Sequence, residues 1–122
     1  MNSEFAKKLF LGKQPEHKRL NCAQAIAQTF KLKYSFITDQ TIKEFKRMGF
    51  GKAPKGECGM LYAAKYIFEN NQQSDKAQKF EQEFIRFAGS NKCSEIIKKK
   101  IAFCAECVSK TAEFIDQKKK EK

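Results

Sequence analysis

The chain has 122 residues, which is enough for a single domain with its own core and too few for two. Its apolar runs are too short for a secretory signal or a membrane span, so we expect one cytoplasmic domain over residues 1–122. The net charge is +11, but only three of the 25 basic residues are arginine, the residue favoured for reading bases and phosphates. The charge therefore argues against nucleic-acid binding and leaves an acidic protein partner or anionic metabolites as the alternatives.

Apolar residues recur at spacings of three and four, and no segment shows the alternation of a strand. The pattern predicts an all-α protein, a single bundle of five to six helices. A first short helix is predicted over residues 3–11. A second is predicted from the N-cap Asn21 to about residue 33, and a third from Thr38 to residue 49.

Glycines are dense between residues 49 and 59, where the pattern predicts a loop. A fourth helix is predicted to open around Cys58 and run to residue 69. A fifth is predicted to be capped by Ser74 and ended by Gly89. The last helix follows Cys93, with a break at residues 98–100, and ends near residue 118 in a frayed basic tail, 118–122.

The chain carries five cysteines: Cys22, Cys58, Cys93, Cys104 and Cys107. Cytoplasmic thiols are kept reduced, and an odd number cannot all pair, so metal binding or redox chemistry is favoured over a disulfide framework. The alternative for any single cysteine is that it fills the core as a small apolar side chain.

Three of the cysteines fall at predicted helix starts, where the helix dipole stabilises a thiolate. These are Cys22, Cys58 and Cys93. Cys104 lies on the apolar stripe of the last helix, and Cys107 lies roughly 60° off that stripe, at its edge. The sequence Cys104-Ala-Glu-Cys107 is a weak redox signal, because thioredoxin-like chemistry places such a pair after a strand.

The order of these cysteines resembles that of a known family. The run from Asn21 to Ala25 (Asn-Cys-Ala-Gln-Ala), the Cys58-Gly59 pair at a helix start, an isolated Cys93, and Cys104 followed by Val108 are similar to the bacterial C_GCAxxG_C_C family of redox-active proteins. The likeness covers about residues 20–116.

The resemblance implies a redox function with Cys22, Cys58, Cys93 and Cys104 as the family's four cysteines, and Cys107 as an extra. The chain departs from the family after Cys58. Met60 stands where alanine is usual, and Ala63 stands where glycine is usual. A larger residue at position 60 would change the shape of the site.

The leading hypothesis is that Cys22, Cys58, Cys93 and Cys104 converge as thiolate ligands of an iron–sulfur cluster for electron transfer, with Cys107 as a further candidate ligand. Such a cluster could form within one chain or between two copies. A second hypothesis is a metal-free thiol/disulfide protein in which Cys22 or Cys58 is the reactive thiol. A third is a zinc- or copper-binding interaction module without turnover.

Overall fold

The computed structural model describes residues 2–15, 20–48, 56–96 and 101–116. The helices are α1 (Asn2–Leu11), α2 (Cys22–Phe30), α3 (Asp39–Phe45), α4 (Gly59–Asn70), α5 (Ser74–Ala88), α6 (Cys93–Ile96) and α7 (Ile101–Asp116). Within these ranges the only β pairing is an isolated bridge between Glu57 and Lys92. The predicted all-α bundle is confirmed: six described helices have at least seven residues, and α6 is a single turn.

Two helix starts follow directly from local sequence. Asn21 precedes α2 and Thr38 precedes α3, and each side chain accepts a hydrogen bond from the backbone N–H three residues on. The residue at that third position, Gln24 or Thr41, bonds back to the N–H of the cap. Both predicted N-caps are therefore confirmed as reciprocal capping boxes, which satisfy N–H groups that the helix itself leaves unpaired.

The predicted cap of α5 is wrong by one residue. Ser74 is the first residue of the helix, and Gln73 precedes it without a side-chain cap. The reason is the tight turn from α4: the Gln73 N–H donates to the carbonyl of Phe68, while the Gln73 carbonyl already accepts from Lys76 and Ala77. Because of this turn, Ser74 already lies within the helix and is not in the N-cap position. At the other end, Gly89 adopts a left-handed φ of 89° and ends α5 as predicted.

The core forms where α2 and α7 meet the other helices. Helix α2 packs against α1, α3, α4 and α7, and α7 packs against α1, α2, α4 and α5. Cys107 is only 1% exposed, compared with 8% for Cys104, so its predicted place at the edge of the buried face is wrong. Four neighbouring helices cover a wider face of α7 than a single apolar stripe predicts.

Several predictions fall on residues outside the described ranges. These are the glycine-rich segment 49–55, the break at 98–100 and the basic tail 118–122. Among the helices that are described, none has the length and apolar character needed to cross a membrane.

A candidate dithiol site

The starts of α2 and α4 bring two cysteines together. Cys22 is the first residue of α2, and Cys58 is the N-cap of α4. The two helices pack against each other, and the two thiols lie close enough for each to shift the pKa of the other. Both residues lie at helix starts as predicted, and both are free thiols. Thirty-six positions apart in sequence, they form one sulfur pair in the fold.

Gly59 is the residue that allows this approach. A Cβ at Gly59 would lie 2.7 Å from the Met48 carbonyl oxygen, 3.0 Å from Cys22 Sγ and 3.2 Å from Ala23 Cβ. The backbone oxygen cannot move aside as a flexible side chain would. Glycine is thus required here for close contact between two segments, since no positive φ demands it.

Hydrogen bonds and burial shift the pKa values of the two thiols in opposite directions. The hydrogen bond from Cys58 lowers the pKa of Cys22; burial opposes this, and backbone N–H groups of Met60 and Ala23 favour it. The same thiol contact, together with burial and the charge on Cys22, raises the pKa of Cys58 well above its ordinary value. Cys22 is therefore the thiol of the pair that ionises more readily, and Cys58 is the one that keeps its proton to higher pH.

Both residues are buried, with 9% exposure at Cys22 and 2% at Cys58. A thiolate of this kind, in contact with a second thiol, can attack a sulfur electrophile and then be resolved within the same protein.

The start of α2 is anchored to α3 by side chains. Asn21 Nδ2 donates to the carbonyls of Phe45 at 3.3 Å and Lys46 at 3.1 Å, in addition to its capping role. Gln24 Nε2 donates to the carbonyl of Ile42 at 3.2 Å. These bonds fix the position of the first turn of α2 and hence of Cys22.

The start of α4 is tied to the segment before α6. The backbone N–H of Cys58 donates to the carbonyl of Asn91 at 2.9 Å, and Glu57 pairs with Lys92. Helix α6 begins at the next residue, Cys93, so this cysteine lies at a helix start as predicted. The pairing brings the start of α6 beside the start of α4, although the side chain of Cys93 lies outside the described residues.

The described residues do not gather the other predicted ligands into one metal site with the pair. Cys104 and Cys107 are buried on α7. Across the described ranges, no group of three or more histidine, cysteine, aspartate or glutamate side chains is placed to hold a metal ion. The structure thus brings together Cys22 and Cys58, and the four-thiol site stays a prediction.

A part-buried ion cluster beside the pair was not predicted from the sequence. Lys65 Nζ lies 2.8 Å from Glu57 and 3.1 Å from Glu81, and Asn91 Nδ2 donates to Glu81 at 3.2 Å. Burial opposes the charged form of Lys65, but its hydrogen bonds to the two carboxylates raise its pKa. These residues are 8 and 16 positions apart, so no local spacing could have indicated the cluster.

Comparison with known proteins finds no matching family model, no matching curated protein and no matching solved structure. The likeness in cysteine order therefore rests on the cysteines and their sequence neighbours alone. The geometry of Cys22 and Cys58 is the basis for assigning a function.

Proposed function

We propose that this chain is a thiol–disulfide redox protein in which Cys22 and Cys58 alternate between a dithiol and a disulfide. The observation that supports this most is the close approach of the two thiols where two helix starts meet, with Cys22 Sγ packed against Gly59, the neighbour of Cys58. The redox function implied by the family resemblance is consistent with it. Expected to act in the cytoplasm, the protein would use its basic surface, with a net charge of +11, to meet an acidic redox partner.

The reaction needs an oxidised disulfide, RSSR, as co-reactant. The Cys22 thiolate attacks one sulfur of RSSR, forms a mixed disulfide, and releases RS⁻, which takes up the proton that Cys22 lost. Cys58 then gives up its proton and attacks the Cys22 sulfur, closing the internal disulfide. The second RS⁻ leaves and is protonated, so two electrons pass from the protein to RSSR, which becomes two RSH.

A redox titration tests the proposal. The protein is equilibrated in buffers with graded ratios of oxidised to reduced dithiothreitol, and its free thiols are counted after acid quenching. A single two-electron transition that consumes two thiols is expected. Cys22→Ser and Cys58→Ser should each abolish the transition.

Cys107→Ser is the matched control, because it removes a buried thiol outside the pair. It should leave the transition in place. The proposal fails if the Cys22→Ser variant titrates like the unmodified protein, or if the Cys107→Ser variant loses the transition.

A thiolate-bound iron–sulfur cluster is the second candidate, and one observation favours it. The pairing of residues 57–58 with 91–92 brings the helix start at Cys93 beside that at Cys58. Cys22 and Cys58 would supply two ligands, and Cys93 and Cys104 the rest; the chemistry of the donor set fits, since four thiolates are the usual ligands of such clusters. Zinc is the alternative metal for the same thiols.

Anaerobic purification with iron, acid-labile sulfide and zinc analysis separates these candidates. A cluster requires iron and sulfide in equal amounts, together with visible absorption. It also requires that the Cys93→Ser variant loses the iron and sulfide as well as the visible absorption. The oligomeric state of the cluster-containing protein then tells whether two copies share the site. Protein without metal that still titrates as a dithiol would contradict the cluster and support the metal-free proposal.

A further inference from the structure

A cleft lies beside the thiol pair, along the outer face of α4. Its volume is about 580 Å³, which is within the ordinary range for small-molecule sites. Helix α4 contributes residues at a spacing of three and four, and α5 and the segment before α6 close the sides. The lining residues used below are Glu57, Tyr62, Lys65, Tyr66, Glu69 and Glu81.

The cleft is acidic although the chain is strongly basic. Three carboxylates line it against the ammonium groups of Lys65 and Lys92. Lys65 is already bonded to Glu57 and Glu81, so its charge is compensated inside the wall. The carboxylate of Glu69 is exposed and makes no ion pair within the described residues. With three carboxylates against two ammonium groups, Lys92 included, the charge that faces a ligand is negative.

Two tyrosines give the cleft its apolar surface. Tyr62 and Tyr66 are part-buried, and each contacts the ring of Phe45 edge-on, with centroids 5.6 and 5.2 Å apart. Contact with Phe45 holds both rings in place from behind. Aromatic rings beside an uncompensated carboxylate are the side chains that recognise an organic cation, through its charge and its hydrocarbon body together.

We infer that this cleft binds a small organic ammonium ion with an apolar body, held by Glu69 and the rings of Tyr62 and Tyr66. The inference does not depend on the redox chemistry of Cys22 and Cys58. The protein as a whole repels cations, so binding of one would have to come from a local site of this kind.

The test is an NMR titration of the full chain with phenethylammonium, compared with its neutral analogue 2-phenylethanol and the anionic analogue 3-phenylpropionate. Backbone amide shifts are expected to concentrate at residues 57–69, Glu81 and Asn91. Phenethylammonium should bind at least fivefold more tightly than either analogue. Binding of the neutral or anionic compound that is tighter than, or within fivefold of, that of phenethylammonium would overturn the inference.

Two substitutions with the same change in charge locate the site. Glu69→Gln should weaken phenethylammonium binding about fivefold, the upper range for an exposed ion pair. Glu83→Gln, whose carboxylate pairs with Arg86 on α5 and does not line the cleft, should leave it unchanged. If both variants weaken binding equally, only the overall charge matters and the assignment to this cleft fails.

Discussion

At the scale of single residues, the close approach of Cys22 and Cys58 depends on the absence of a side chain at Gly59. Helix α4 would tolerate alanine there on propensity grounds, since alanine is the better helix former by about 1 kcal/mol. The contact distances exclude alanine, because an added methyl group would lie too close to the Met48 carbonyl oxygen and to the Cys22 sulfur. Steric exclusion thus outweighs propensity at this residue.

The first prediction concerns this glycine. Gly59→Ala should lower the free energy of unfolding by about 1–3 kcal/mol, the usual cost of overpacking, and should separate the thiols. Urea denaturation measures the first effect, and the pH dependence of Cys22 alkylation measures the second. Gly56→Ala is the control: it costs stability through a φ of 72° but meets no atom within 4 Å. An unchanged alkylation profile in Gly59→Ala would contradict the account.

The second prediction concerns the hydrogen bond between the thiols. Cys58→Ala removes the donor, so the pKa of Cys22 should rise and its alkylation at neutral pH should slow. Cys58→Ser keeps a hydroxyl donor and should retain most of the lowered pKa. The measurement is the alkylation rate at Cys22 from pH 5 to 10. Identical profiles for the alanine variant and the unmodified protein would rule out this hydrogen bond as the cause.

At the scale of helices, the sequence predicts a helix boundary correctly wherever a local hydrogen bond fixes that boundary. The starts at Asn21 and Thr38 could be predicted because a capping box involves residues only three apart. Ser74 could not be placed correctly, because the turn that starts α5 is bonded back to the end of α4. The meeting of Cys22 with Cys58 was also beyond local rules, since it depends on how α2 packs against α4.

The third prediction concerns the cap of α2. Asn21→Ala should cost about 1 kcal/mol or more of stability, since it removes the capping box and two bonds to the end of α3. It should also raise the pKa of Cys22, because the first turn of α2 loses its anchor. Thr38→Ala is the matched control, with a similar loss of stability from α3 and no change at Cys22. Equal effects of both variants on Cys22 alkylation would contradict this role for Asn21.

The fourth prediction concerns the ion cluster that joins α4 to α5. Burial opposes charge on Glu81, but hydrogen bonds from Asn91 and Lys65 lower its pKa. A carboxyl whose pKa is lower in the folded protein stabilises the fold above its unfolded pKa of about 4.3, and this contribution is lost as the pH falls through the folded value.

Glu81→Gln should therefore destabilise the protein at pH 7, and the difference from the unmodified protein should shrink in acid. Chemical denaturation at pH 7, 5 and 3 measures this. Glu83→Gln on the exposed side of α5 is the control and should have little effect at any pH. A deficit in Glu81→Gln that stays constant from pH 7 to pH 3 would show that the charge of Glu81 is not responsible.

At the scale of the whole molecule, helical periodicity in the sequence predicts the fold class, but it predicts only part of the candidate site. Periodicity reports which side of a helix is buried, and it placed Cys104 correctly in the core. It could not show that four helices surround α7 and bury Cys107 as well. Pairing of sulfurs, and the ion cluster at Lys65, arise from contacts between elements distant in sequence.

Peptide mapping of the oxidised protein is the most direct test of the central claim. Trypsin cleaves after lysine and arginine, which separates Cys22, Cys58 and Cys93 into peptides 20–31, 56–65 and 93–98 and leaves Cys104 and Cys107 together in 101–110. After oxidation by a small disulfide and alkylation of the remaining thiols, the account predicts a linked pair of peptides 20–31 and 56–65. Oxidised protein that lacks this pair, with Cys22 and Cys58 still alkylated or joined to other cysteines, would contradict it.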